Sequence, residues 1–283
     1  MPARTLKVAA VQMKFAPTID ANLHQIAKAI KTLKRRRVDV ALFPECCTTG
    51  YNFEFGSLKP ADTAGINETL QSLARDSGIN LLIGTPLFRR RKLQNCLLVI
   101  DRRGRFEHCY AKCQLTPADR QHFTPGNHIA LFKIAGITCT SIICHERRYP
   151  ELVRLAAMAG AQMLFHPNAG LDTLAVSKTK RNGNDGIAIR AFENAIHYIF
   201  ANSVGPQGQG KWSAGDSKIV DAAGKRLRLA NNRSSEIITA DLDLDQATRK
   251  YAEESRQHPA FLKGSWKEMI SELKRRAKIE GRI

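Results

Sequence analysis

Apolar runs of β type alternate with helix-period patterns along most of this 283-residue chain, and that alternation restricts the fold to an α/β class. The runs "KVAAVQM" (7–13), "VDVALFPE" (38–45), "INLLIGTPLF" (79–88), "IAGITCTSIIC" (134–144), "AQMLFHPNAG" (161–170) and "YIFANSVG" (198–205) read as strands. Between them, "IDANLHQIAKAIKTLKRR" (19–36) places Leu23, Ile26, Ala27, Ile30 and Leu33 on one helical face. The segments "INETLQSLARDSG" (66–78) and "GIAIRAFENAIHY" (186–198) also read as helices, as does "PELVRLAAMAG" (150–160), with Pro150 suited to its first turn. Two hairpins interrupt the crossovers: "LQNCLLVID" with "FEHCYAK" around "RRGR", and "SKIVDAAGKRLRLA" around "AAGK". Parallel crossovers combined with hairpins call for mixed sheets covered by helices.

No linker divides the chain, and the longest irregular stretch is "NSVGPQGQGKWSAGDS" (202–217). One domain is expected over residues 1–262, followed by a helical tail, 263–283, that is a candidate arm against another subunit. No run approaches the roughly 18 apolar residues of a membrane span, and the amino terminus has too short an apolar core for a signal peptide. Seven cysteines at irregular spacing do not make a disulfide framework, so a reducing cytoplasm is the expected location. The net charge of +18 permits attraction to nucleic acid or small anions. Without zinc-knuckle spacing, an RNP motif or aromatic–basic interleaving, no specific nucleic-acid partner is expected, and a solvated basic surface is the plainer account of the charge.

Three strand ends carry the chemistry. Cys144 closes an apolar run and is followed at once by His145, Glu146, Arg147 and Arg148, at the junction with the next helix. Backbone N–H groups at such a junction stabilise negative charge on sulfur or on a substrate oxygen. Glu45 follows Pro44 at the end of a second strand, and Lys112 ends a third, "CYAK". Alone, Cys144 reads as a small buried apolar residue, and Glu45 and Lys112 as halves of a salt bridge. Together, a sulfur, a carboxylate and an ammonium at three strand ends are what thiol-dependent amide hydrolysis requires.

With those residues in view, the sequence resembles the carbon–nitrogen hydrolase (nitrilase) superfamily over about residues 6–262. The matching motifs are "VAAVQM", "FPECCTTGY", "YAKCQLTP", "FTPGN", "CHERRYPEL" and "RAFENAIHYIFANSVG", in that order. The resemblance implies a four-layer α-β-β-α sandwich with mixed sheets, a homodimer or higher homo-oligomer, and no metal or organic cofactor. It implies Glu45 as general base, Lys112 as oxyanion stabiliser, Cys144 as nucleophile and the His145 N–H as a second oxyanion donor. Glu146 and Arg148 match positions that support the cysteine elbow by pairing.

The chain also departs from the pattern. Many members carry a second glutamate seven residues before the glycine of the "PG" turn, and here Asp119 stands there, one methylene shorter, which sets its carboxylate back by roughly 1.5 Å. A helix-start charge after Pro117 is the other reading of Asp119. Cys46 and Cys47 replace bulkier residues in the glutamate motif.

The cysteine motif is most similar to that of N-carbamoyl-D-amino-acid amidohydrolases, which implies that Arg147 grips a substrate carboxylate through its guanidinium fork. A solvent-facing or interface Arg147 is the alternative. Tyr51, Asn168, His166 and Trp212 lie where they line a pocket or simply pack. The expected activity is hydrolysis of a non-peptide amide or carbamoyl C–N bond in a small molecule. The alternatives are a nitrilase acting on a C≡N bond, or a non-catalytic basic protein that scaffolds or binds nucleic acid.

Overall fold

The computed structural model describes residues 4–180 and 186–282. The first half of the chain builds one sheet and the helices over it. Strand β1 (Thr5–Gln12) leads into helix α1 (Ile19–Arg35), whose Thr18 hydroxyl accepts the Ala21 N–H and caps its start. Then come β2 (Val40–Leu42), α2 (Pro60–Ser77), β3 (Asn80–Arg89), β4 (Lys92–Ile100) and β5 (Phe106–Ala111). A second sheet follows: β6 (Phe132–Ile134), β7 (Ile137–Ser141), helix α3 (Pro150–Met158), β8 (Met163–Asn168), short helices α4 (Leu174–Thr179) and α5 (Ile189–Phe192), and β9 (His197–Asn202). The hairpin β10 (Val204–Gly208) and β11 (Lys211–Ala214) stands outside both sheets. β12 (Lys218–Val220) and β13 (Arg226–Leu229) complete the second sheet, while β14 (Glu236–Asp243) returns to the first. Helices α6 (Lys250–Ser255) and α7 (Lys263–Glu280) end the chain.

The sheets run β14-β1-β2-β3-β4-β5 and β13-β12-β9-β8-β7-β6. β1, β2 and β3 are mutually parallel, and so are β7, β8 and β9. β4 pairs antiparallel with both β3 and β5, so β5 points the same way as β3. Alternation along β1 shows how the layers form: Val8 and Ala10 face the other sheet, while Ala9 and Val11 face α1 and α2. The central core joins Val8, Leu42, Leu97 and Tyr110 of the first sheet to Phe132, Met163, Phe165 and Ile199 of the second. An outer core packs α1 and α2 on the first sheet, and another packs α3 and α7 on the second. These are the four layers, α-β-β-α.

Several local expectations are corrected. Residues 202–217 are not irregular, because the β10–β11 hairpin turns there through three left-handed residues, Gly208, Gln209 and Gly210. The helix expected over 186–198 stops at Phe192, since Ala195 takes a φ of 48° and His197 already belongs to β9. Helix α2 starts at Pro60, six residues before the periodic run. Apart from these corrections, helix α7, the expected helical tail, packs Ile270 and Leu273 into the outer core of the second sheet, with Ala277 also buried. Its end is fixed at the β5 edge, where the Cys109 N–H donates to Gly281 O and Arg89 donates to the Glu280 and Arg282 carbonyls. No helix of the described residues is long and apolar enough to cross a membrane.

The close approach of β3 to the end of β2 depends on Gly84. A Cβ there would lie 2.6 Å from Glu45 Cα and collide with the Pro44 carbonyl. Gly84→Ala is expected to cost about 1–3 kcal/mol in thermal unfolding and, by displacing Glu45, to lower turnover by about a hundredfold. Gly65→Ala is the contrast. It lies in α2 with open space around the added methyl, so it should raise stability by about 0.5–1 kcal/mol.

Candidate active site

Ionisable groups gather where the carboxyl ends of β2, β5, β7, β8 and β9 meet, at one edge of the sandwich. Glu45 follows β2, Lys112 follows β5, and Cys144 lies three residues beyond β7. They share the wall of a cavity of about 440 Å³ with Tyr51, Asp119, His145, Arg147 and Asn168. Eight of the residues singled out from the sequence thus converge on one space.

Glu45 and Lys112 are both buried, and Lys112 Nζ lies 2.8 Å from Glu45 Oε1 and 2.8 Å from Asp119 Oδ2. Burial alone would lower the Lys112 ammonium, but the Glu45 carboxylate, with Asp119 beside it, holds it well above the usual lysine range. Two of its three N–H bonds are occupied, which leaves one for a ligand. Asp119 reaches Lys112 despite its short side chain because it sits in the turn Asp119–Gln121, where it also accepts the Thr116 N–H at 3.1 Å. Burial pushes its carboxyl up, and Lys112 with Thr116 outweighs that and holds it below the ordinary range.

Glu45 is fixed by four donors. Its Oε1 accepts from Lys112, from the Tyr51 hydroxyl at 2.7 Å and from Asn95 Nδ2 at 2.8 Å. Its Oε2 accepts only the Ala169 N–H, at 3.0 Å, and so keeps a free lone pair. Ala169 bridges acid and sulfur, since its carbonyl lies 3.9 Å from Cys144 Sγ. Burial, reinforced by Glu45, pushes the Cys144 thiol up to about 12.

The cysteine elbow is anchored on two sides. Cys144 takes a left-handed φ of 51°, a costly conformation for a residue with a Cβ. On one side, the buried Glu146 carboxylate accepts the Ile143 N–H at 2.7 Å, the Cys113 N–H at 2.7 Å, the Gln114 N–H at 3.0 Å and the Tyr110 hydroxyl. It therefore ties the elbow to the segment that follows Lys112. On the other side, His166 Nε2 lies 3.1 Å from the Cys144 carbonyl. A carbonyl only accepts, so the proton is on Nε2 and Nδ1 accepts from the Tyr198 hydroxyl. In the turn Cys144–Arg148 the first N–H groups, including that of His145, have no acceptor within the turn.

One expectation changes, and two alternatives left open by the sequence are decided for packing. Glu146 pairs with backbone N–H groups and Tyr110 rather than with Arg148, which is exposed at the cavity mouth. His166 lies behind the elbow, packed against Tyr198 and Phe200, not on the cavity wall. Trp212 is likewise off that wall; its carbonyl accepts the Asp172 N–H. Arg147 does line the cavity, half-buried, and makes no ion pair with a carboxylate among the described residues. Asn168 donates to Asn202 Oδ1 at 2.7 Å, and its own Oδ1 is buried without a partner. Asn95 inside β4, Tyr110 near the end of β5 and Thr116 beyond it escaped the sequence reading; their only signal is polarity. No cluster of three or more His, Cys, Asp or Glu among the described residues is arranged to hold a metal ion.

Comparison with known proteins places this geometry. The carbon-nitrogen hydrolase family model matches residues 7–251. A nitrilase from Pyrococcus abyssi is 29% identical over 248 residues, 84% of this chain and 90% of that protein. A 2-oxoglutaramate amidase from Bacillus subtilis is 26% identical over 220 residues, covering 75% and 81% of the two chains. Among solved structures, an amidase from Nesterenkonia sp. AN1 with acrylamide added at its active-site cysteine superposes with a TM-score of 0.78 at 25% identity, covering 92% of this chain and 99% of that one. The chain belongs to the carbon–nitrogen hydrolase family, in the nitrilase superfamily.

Proposed function

We propose that the protein is a cysteine-dependent amidohydrolase that cleaves an amide or carbamoyl C–N bond of a small molecule through a thioester-like intermediate. The observation that carries this reading is the Lys112 ammonium held between Glu45 and Asp119 on the same cavity wall as Cys144. In the proposed cycle, Cys144 Sγ attacks the carbonyl carbon as Glu45 Oε2, the oxygen with a free lone pair, takes the thiol proton. The remaining Lys112 N–H and the His145 N–H receive the oxyanion. When the C–N bond breaks, the Glu45 proton passes to the departing amine. Water then gives its proton to Glu45 as its oxygen attacks the thioester, and the acid leaves as the proton returns to sulfur. Asp119 takes the role of holding Lys112 from the side away from Glu45.

Arg147 supports a carboxylate-bearing substrate, since a half-buried guanidinium with no carboxylate partner among the described residues is suited to an anionic ligand. The name of the Bacillus subtilis relative, a 2-oxoglutaramate amidase, points the same way, that amide being an anion. The reading also includes a reducing cytoplasm, in keeping with seven free cysteines, and a homo-oligomer. The carboxyl-terminal segment supports the second point, because Phe261, Met269 and Ile279 remain exposed after α7 has docked.

Ammonia release across amides, carbamoyl compounds and nitriles is the direct test. Turnover of amides or carbamoyl compounds, lost in Cys144→Ala with an unchanged unfolding midpoint, is expected; turnover of nitriles alone would select the nitrilase reading. Glu45→Gln should lower kcat by about 10²- to 10⁴-fold, and near-normal turnover would remove Glu45 from the mechanism. Arg147→Ala should raise KM by about tenfold for a carboxylate-bearing amide and leave the matching neutral amide unaffected; equal effects on both would defeat the carboxylate assignment. Because burial pushes the Cys144 thiol up to about 12, its reaction with a small neutral thiol reagent should climb steadily from pH 7 to 10. A plateau reached near pH 7 would show a preformed thiolate instead.

A further inference from the structure

Three donors meet at Glu45 Oε1, whereas Oε2 receives only the Ala169 N–H. Donors gathered on one oxygen make a pivot. The last torsion of a glutamate is soft, so that pivot leaves the plane of the carboxylate free to tilt. The Ala169 N–H is the second fixed point, and it decides where the proton-accepting oxygen stands relative to Cys144. Ala169 itself lies just beyond the end of β8, in a loop that needs its own support.

That support comes from β9. Parallel pairing sets Asn202, the last residue of β9, opposite Asn168, the last of β8. Alternation along β9 sends Ile199 and Ala201 into the central core and Tyr198 and Phe200 into the outer one. Asn202 shares the face of the latter pair, where the strand end opens on the cavity. Its side chain is buried, and both ends of its amide are engaged. Oδ1 accepts from Asn168 Nδ2 at 2.7 Å and from the Gly170 N–H at 3.3 Å, and lies 3.2 Å from Ser213 Oγ. Nδ2 donates to the Gly215 carbonyl at 2.7 Å, and the Asn202 N–H donates to Ser217 Oγ at 2.9 Å. Asn168 and Gly170 flank Ala169, so one amide oxygen clamps the chain on either side of it. The clamp has little slack, because a Cβ at Gly170 would lie 3.0 Å from Ser213 Oγ. A buried polar network of this kind is rigid when its members are satisfied.

We propose that Asn202 is a positioning residue for the base: by clamping Asn168 and Gly170 it holds the Ala169 N–H on Glu45 Oε2 and so aims that oxygen at the Cys144 thiol. The consequence for turnover rests on the amidohydrolase reading, to which the assignment adds a residue that acts through Glu45.

The test is a double-mutant cycle in the full chain, read first by ammonia release from linear primary amides with and without a terminal carboxylate. Asn202→Leu removes the clamp at similar volume. It should lower kcat by about a hundredfold and leave KM within about twofold of wild type. In Glu45→Gln, which has no base to aim, the same change should alter kcat by a factor of about one. The second readout is the rate at which acrylamide adds to Cys144, followed by mass, since the thiol must lose its proton for the addition. Asn202→Leu should slow it about tenfold in the wild-type background and leave it unchanged beside Glu45→Gln. Gly170→Ala, which presses the loop against Ser213 and keeps Asn202, should give the same pattern in weaker form and replaces Asn202→Leu if that variant does not fold. A fall of equal size in both backgrounds would make Asn202 a general support of the cavity and overturn the proposal. So would a wild-type kcat in Asn202→Leu, or an effect on KM alone. Absence of ammonia from every amide would defeat the amidohydrolase reading, and the acrylamide rates would then decide the role of Asn202 by the same comparison.

Discussion

One buried ammonium shared by two carboxylates organises this protein. Lys112 and Asp119, seven residues apart, meet Glu45 from a distant stretch of chain, and taking their charges out of water costs several kcal/mol per ion unless every lone pair and proton is satisfied. Tyr51, Asn95, Thr116 and the Ala169 N–H meet most of that demand and leave one Lys112 N–H and one Glu45 Oε2 lone pair open to the cavity. Each donor is fixed by a different element, so the cluster forms only when both sheets have assembled. A hydrophobic replacement of the same volume would serve stability as well or better. The arrangement is better understood as a preorganised electrostatic site, in which charges and dipoles are set before a substrate enters.

The second constraint is the elbow. Cys144 is held left-handed, and the groups that hold it also set its distance from the charged cluster. Glu146 binds the N–H groups of Ile143 on one side and of Cys113 and Gln114 on the other, so a single carboxylate spans the gap between the cysteine and the segment carrying Lys112. His166 and Tyr198 brace the Cys144 carbonyl from within the second sheet. The site is thus supported from both sheets, and its geometry is a property of how they face each other.

Much of this was legible in the sequence because strand ends are visible in one dimension. An apolar run that stops at an ionisable residue, as at Glu45, Lys112 and Cys144, marks a side chain leaving the core at a sheet edge. The residues that were missed act across the fold. Asn95 reaches Glu45 only because β4 pairs with β5 in a register that brings the Lys112 N–H to the Asn95 carbonyl. Glu146 carries the same charge whether it pairs with Arg148 or with backbone, and only the approach of the 113–114 segment decides between them. His166 sits in a strand whose faces alternate, so a slip of one residue separates lining the cavity from bracing the elbow. The β10–β11 hairpin was hidden by its glycines, which read as punctuation although they shape a tight turn. β14 closes the first sheet by antiparallel pairing with β1, more than two hundred positions away in sequence, where local patterning gives no partner.

The most direct test of the central claim is to find where a substrate becomes attached. The wild-type protein would be acid-quenched during turnover of a slowly hydrolysed amide and its peptides mapped by mass spectrometry. The account predicts an acyl group on Cys144 and on none of the other six cysteines. Turnover that proceeds with Cys144 unmodified, or an acyl group carried by another residue, would contradict it.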